Sequence, residues 1–77
     1  MKTLVFYEVN ESALHQFPLG TNESWVYDAI NNLGAATLRR LAKEIPGLTN
    51  SEINKALGVL LNHEMITRRT LSAHGLD

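Results

Sequence analysis

The sequence predicts a small α+β domain, mainly α-helical with a small β-sheet, on three observations. Hydrophobic residues make up 44% of the 77 residues and charged residues 19%, a balance typical of a folded globular domain. Three segments carry apolar residues at the spacing of an amphipathic helix, each followed or preceded by a cap or turn signal. Two further segments, one near each end, are rich in β-branched and aromatic residues. At this length we expect one domain over residues 1–77.

The N-terminal segment, residues 2–9, is predicted to be a strand. No glycine or proline interrupts it, and most of its residues are β-branched or aromatic: Thr3, Val5, Phe6, Tyr7 and Val9. Because this surface is apolar and aromatic, we expect it to be covered on both faces. Residues 10–20 follow as a connector, since Pro18 and Gly20 would stop a longer helix.

Two helices are predicted next. Thr21-Asn22 can cap the first, Gly34 ends it, and its apolar stripe is Trp25, Val26, Ala29, Ile30 and Leu33. The second begins near Ala36 and ends at Ile45, because a residue before proline avoids the α region.

A third helix over residues 49–63 is predicted from the capping box Thr49-Asn50-Ser51-Glu52. Strand chemistry returns over residues 65–71, and residues 72–77 are a tail. The three apolar stripes should meet in one core that buries Trp25, Ile30, Leu33, Leu38, Leu41, Ile45, Ile53, Leu57 and Leu60.

Two stretches carry a resemblance to a known family: the run from Ala36 to Thr49 (ATLRRLAKEIPGLT) and the continuation His63-Glu64-Met65-Ile66-Thr67-Arg68-Arg69. Together with the order of the predicted elements, they resemble the winged helix-turn-helix family over about residues 22–71. Small bacterial, archaeal and phage-type regulators carry a similar run, with glycine or a similar residue second in the continuation. The resemblance implies a three-helix core over residues 21–71 and a DNA-binding transcriptional regulator. The family's wing is a hairpin, and six residues after Leu71 are too few for its second strand. The wing is therefore expected to be truncated, with strand 2–9 pairing with strand 65–71 in cis or from a second chain.

The resemblance also implies a DNA-binding surface. Helix 49–63 would enter the major groove and present Thr49, Asn50, Ser51, Asn54 and Lys55 to the bases. The outer face of the second helix, with Arg39, Arg40 and Lys43, would contact phosphates. Arg68 and Arg69 are adjacent in a strand and point to opposite faces, so one would reach DNA and the other would pair with an acid or cover apolar surface. The alternative for these side chains is a solvated face, with Arg40 paired to Glu44.

Charge leaves two function classes open. The net charge is −1, but residues 1–34 are acidic and residues 35–77 are basic. The basic half favours a regulator that binds double-stranded DNA, whereas the acidic half and the missing wing strand favour a protein–protein interaction module without DNA binding.

Other classes are disfavoured. No catalytic constellation or metal-ligand spacing is present, so we expect no enzyme, no metal and no cofactor. No apolar run is long enough to span a bilayer, and the absence of cysteine favours the cytoplasm. The apolar N-terminal strand favours a homodimer, joined through these strands or the first helices.

Overall fold

The computed structural model describes residues 3–11 and 20–72, which form three helices and a three-stranded antiparallel sheet. In chain order the elements are β1 (Thr3–Val9), α1 (Thr21–Leu33), β2 (Ala35–Ala36), α2 (Leu38–Glu44), α3 (Asn50–Asn62) and β3 (Ile66–Ser72). The predicted α+β class is confirmed. Residues 12–19 of the predicted connector and, apart from Ser72, the predicted tail lie outside the described residues.

The strand nearest the start of the chain forms the centre of the sheet, whose order is β2-β1-β3. β1 pairs with β3 along its whole length, from Thr3 opposite Ser72 to Val9 opposite Ile66. Strand 2–9 therefore finds its partner in cis. Instead of a hairpin of consecutive strands, the wing consists of two strands from opposite ends of the domain, and we call this pair the split wing.

β2 was not predicted, and the expected start of the second helix near Ala36 is wrong. Ala36 lies opposite Tyr7 in the ladder and is buried, so strand pairing prevails here over the helix propensity of alanine. The helix begins one residue after Thr37, whose Oγ1 accepts a hydrogen bond from the Arg40 N–H at 3.1 Å. This N-cap satisfies one of the free donors of the first turn.

Glycines bound α1 at both ends. The N-cap is Gly20 and not Thr21-Asn22, and its N–H donates to Glu23 Oε1 at 3.1 Å. At the other end Gly34 is the C-cap, as predicted; its N–H donates to the Ile30 carbonyl at 2.9 Å, and its φ of 84° favours a residue without Cβ.

The core lies between the helices and one face of the sheet. Its buried residues come from every helix, from the end of β2, from the start of β3 and from the segments that follow α2 and α3: Val26, Ile30, Ala36, Leu41, Ile45, Leu48, Ile53, Ala56, Leu57, Leu60, Met65 and Ile66. Leu33 and Leu38 are half-buried against it. Among the described helices, none is long and apolar enough to cross a membrane.

Trp25 is the clear error in the predicted core, because 51% of its surface is exposed. Consecutive helical residues are about 100° apart, so the stripe from Trp25 to Leu33 covers a wide arc of α1. Val26 and Ile30, both fully buried, take the centre of the interface. Trp25 lies on the flank of α1, beside the end of α2.

The turn between α3 and β3 contains a left-handed residue that is not glycine. Glu64 has a φ of 58°, and its carbonyl accepts a hydrogen bond from the Asn10 side chain at 2.8 Å. The Asn10 N–H also donates to the Met65 carbonyl at 2.9 Å. These two bonds fasten the end of β1 to the turn that starts β3.

Candidate nucleic-acid interface

The first turn of α3 is held by the predicted capping box. Thr49 Oγ1 accepts a hydrogen bond from the Glu52 N–H at 3.1 Å, and Glu52 Oε1 accepts one from the Thr49 N–H at 2.9 Å. Hydrogen bonds to Thr49 lower the pKa of the Glu52 carboxyl from its usual 4.5, and the bond to the Thr49 backbone has a larger effect than the bond to its side chain. The Thr49 oxygen is thus used within the helix cap, while its hydroxyl hydrogen remains a donor for an outside acceptor.

The outer side of α3 is polar and open. Asn50, Ser51, Asn54 and Lys55 are all exposed, as the sequence predicted for this face. They point away from the buried stripe of Ile53, Ala56, Leu57 and Leu60. Gly58 lies on the same open side with no atom within 4 Å of the position a Cβ would take. A partner could therefore come close to the α3 backbone at this point.

The three bases of α2 differ in their surroundings. Arg39, Arg40 and Lys43 are all exposed, but Arg40 Nε lies 3.0 Å from Glu44 Oε1. In the described part of the chain Arg39 and Lys43 have no ion-pair partner, and at a spacing of four residues they lie side by side. Arg39 and Lys43 are therefore the cations of α2 that are free to meet a phosphate.

The adjacent arginines of the split wing lie on opposite faces of the sheet, as strand alternation predicted. Arg69 shares the outer face with Glu8 and forms an ion pair with it. Arg68 lies opposite Tyr7 on the other face and is exposed. The sequence had not singled out Glu8, because the pairing is diagonal and depends on the register of two strands far apart in sequence. Arg68 is consequently the better candidate of the two for DNA.

The predicted site residues thus fall into three groups. The first group is the N-cap Thr49 and four residues on the first two turns of α3: Asn50, Ser51, Asn54 and Lys55. The second group, Arg39, Arg40 and Lys43, is on the preceding helix, which packs against α3. The third group, Arg68 and Arg69, is on the split wing. The short turn of Pro46 to Leu48 joins the first two groups, and the buried Leu48 anchors it to the core. Two helices in this relation, the second with an open polar face, form a helix-turn-helix.

The comparison with known families agrees with this geometry. The model of the RNA polymerase III subunit RPC82 helix-turn-helix domain matches residues 16–67, a segment from before α1 to the beginning of β3. No curated protein and no solved structure gives a significant match. Since the matched segment is more than half of the chain, this protein belongs to the family of the RPC82 helix-turn-helix domain.

Proposed function

We propose that this domain binds double-stranded DNA with α3 in the major groove and acts in transcription. The observation that carries the proposal is the exposed face of Asn50, Ser51, Asn54 and Lys55 on the second helix of a helix-turn-helix. The family is named for a subunit of RNA polymerase III, which supports a role in transcription. Within that role, the proposed contacts to DNA are compatible with a regulator and with a polymerase-associated subunit.

Each group of residues has a distinct part in the proposed contact. The amide groups of Asn50 and Asn54 can each donate to and accept from an adenine edge, which discriminates bases by about 1–3 kcal/mol per good pair. Arg39 and Lys43 supply charge to the phosphate backbone irrespective of sequence. Arg68 adds an exposed cation on the split wing. The proposed role is the binding of DNA in the cytoplasm. It involves no catalysis, metal or cofactor.

We also propose that the protein works as a homodimer, joined through the outer face of its sheet. Leu4 and Leu71 lie directly opposite each other there, 45% and 49% exposed, beside the half-buried Phe6. The Glu8–Arg69 pair on this face is neutral overall, so two copies meet without like-charge repulsion. A twofold dimer would offer two copies of α3 to half-sites about 34 Å apart.

Sedimentation equilibrium tests the dimer. The wild type is expected to be dimeric at micromolar concentration, and Leu4→Ser with Leu71→Ser should convert it to a monomer. Trp25→Ser is the matched control, since it removes an equally exposed apolar side chain from a helix instead of the sheet. A monomeric wild type would reject the dimer.

DNA binding is tested by fluorescence anisotropy with labelled duplexes over a series of salt concentrations. We expect affinity for random duplex to fall steeply with salt, and Arg39→Ala or Lys43→Ala to reduce the slope of log K against log salt by about 1 each. Glu44→Gln is the complementary variant. It releases Arg40 from its ion pair and should therefore raise affinity.

Base reading is tested on a duplex selected from a random pool. Asn54→Ala should weaken binding to the selected duplex more than to random duplex, whereas Arg39→Ala should weaken both alike. No binding to any duplex at low salt would reject the proposal.

A further inference from the structure

A second surface of the molecule has no part in the proposed DNA contact. It is a groove of about 340 Å³ between α1 and the end of α2, and its apolar residues are Trp25, Ala29, Leu33 and Ile45. Asp28, Asn32 and Glu44 form the rest of its lining. None of the candidate DNA-binding residues lines it. We call it the Trp25 groove.

The apolar part of the Trp25 groove has the spacing of a helix-binding surface. Trp25, Ala29 and Leu33 follow one another every fourth residue, over about 12 Å of α1. They form a second stripe beside the buried Val26 and Ile30, and at its open end Trp25 remains 51% exposed. An amphipathic partner helix lays residues spaced i, i+3 or i+4, and i+7 into such a groove. Tryptophan is also one of the residue types that are enriched among the anchors of protein interfaces.

The charge of the groove indicates which helix would fit. Its ionisable lining residues are Asp28 and Glu44, and no base is among them. Glu44 is bound to Arg40, but Asp28 has no ion-pair partner in residues 3–11 and 20–72. The C-terminal end of α2 adds the partial negative charge of its last carbonyls. A second copy of this groove would bring like charges together, so a cationic partner is favoured over self-association.

We propose that the Trp25 groove binds a basic amphipathic helix of another protein, with an apolar side chain against Trp25 and a lysine or arginine near Asp28. The groove and the open face of α3 share no residue, so DNA and such a partner would bind to different residues of the domain. This inference stands independently of DNA binding.

Trp25 is the only tryptophan of the chain and therefore reports on its own groove. The probe is a synthetic helical peptide of about 18 residues, long enough to be helical when bound, with leucines at i, i+3 and i+7 flanked by lysines. Its addition should shift the Trp25 emission to shorter wavelength, and added salt should weaken the effect. A peptide with the same leucines and with glutamates for lysines should produce no shift at the same concentration.

Substitutions separate the two parts of the groove, with binding followed by the anisotropy of labelled peptide. Trp25→Ala should weaken binding about 30-fold, as expected for an anchor residue. Asp28→Asn should weaken it about two- to five-fold, the effect of an exposed ion pair. The matched control is Glu11→Gln, which likewise replaces an exposed carboxylate by an amide, but outside the groove, and should leave binding unchanged.

Three results would overturn the proposal. Equal binding of the lysine and glutamate peptides would show that charge has no part in it. A short-wavelength emission in the free protein that is independent of concentration would show that the chain itself covers Trp25. An emission shift that appears only as the protein concentration rises would assign the groove to a second copy.

Discussion

At the scale of single residues, Glu64 occupies a backbone conformation that favours glycine. The left-handed region costs an ordinary residue roughly 1–2 kcal/mol. The sequence resemblance itself places glycine or a similar residue at this position. The carbonyl that Asn10 binds belongs to the backbone and does not depend on the side chain.

We therefore expect Glu64→Gly to stabilise the protein by up to about 1 kcal/mol, because part of the gain is offset by the greater freedom of glycine in the unfolded chain. Gly34→Ala, at a φ of 84°, should destabilise it by about 1–2 kcal/mol. Urea unfolding measures both. A loss of stability in Glu64→Gly would show that the side chain contributes something beyond its backbone conformation.

The Glu52 carboxyl predicts a dependence of stability on pH. Its pKa is lower in the folded protein than the usual 4.5, so folding favours the charged form. Its contribution is thus complete above pH 4.5 and is lost as the pH falls through the lowered folded value. We expect wild type to exceed Glu52→Gln in free energy of unfolding at about pH 7, and this difference to shrink at about pH 3. A constant difference would assign the effect to side-chain shape instead of charge.

At the scale of elements, α3 joins the core to the proposed binding face, and neighbouring residues separate the two roles. Leu57→Ala, which empties a site that is 2% exposed, should cost roughly 2–5 kcal/mol. Gly58→Ala, one residue further and in open space, should stabilise the helix by about 1 kcal/mol. Thermal melting of both variants checks the register of α3. If Leu57→Ala were harmless, the assignment of its buried face would be wrong.

Local signals allowed most elements to be predicted from sequence. The capping box of α3 and the glycine after α1 act within a few residues, so their outcome does not depend on the rest of the fold. β2 depends instead on a tertiary partner, since two alanines become a strand only where β1 lies beside them. The exposure of Trp25 likewise depends on the position of α2. The periodicity of α1 alone does not predict that position. For the site, the sequence identified the open face of α3 and the pairing of Arg40 with Glu44 four residues on. The diagonal pair of Glu8 and Arg69 depends on the register of β1 and β3 and appears only in three dimensions.

At the scale of the whole molecule, the position of β1 makes Thr3–Val9 a central part of the fold. β1 is the central strand, with β2 on one side and β3 on the other. Removing it would leave both neighbours without backbone partners and expose apolar residues of the core. We therefore expect a chain without residues 1–9 to lose cooperative thermal unfolding by circular dichroism. A truncated chain that still melts cooperatively would show that the helices fold without the sheet.

The split wing also has a kinetic consequence. Because Thr3 pairs with Ser72, folding must bring together segments separated by almost the entire chain. Closing so long a loop costs entropy before the contacts are gained, and contacts of high sequence separation slow folding. A circular permutant, with residue 72 linked to residue 3 by a short turn and new ends opened between residues 11 and 20, makes the same pairing local. In stopped-flow refolding the permutant should fold faster than the protein with the natural chain order. The difference in rate should arise at the step that forms the β1–β3 ladder.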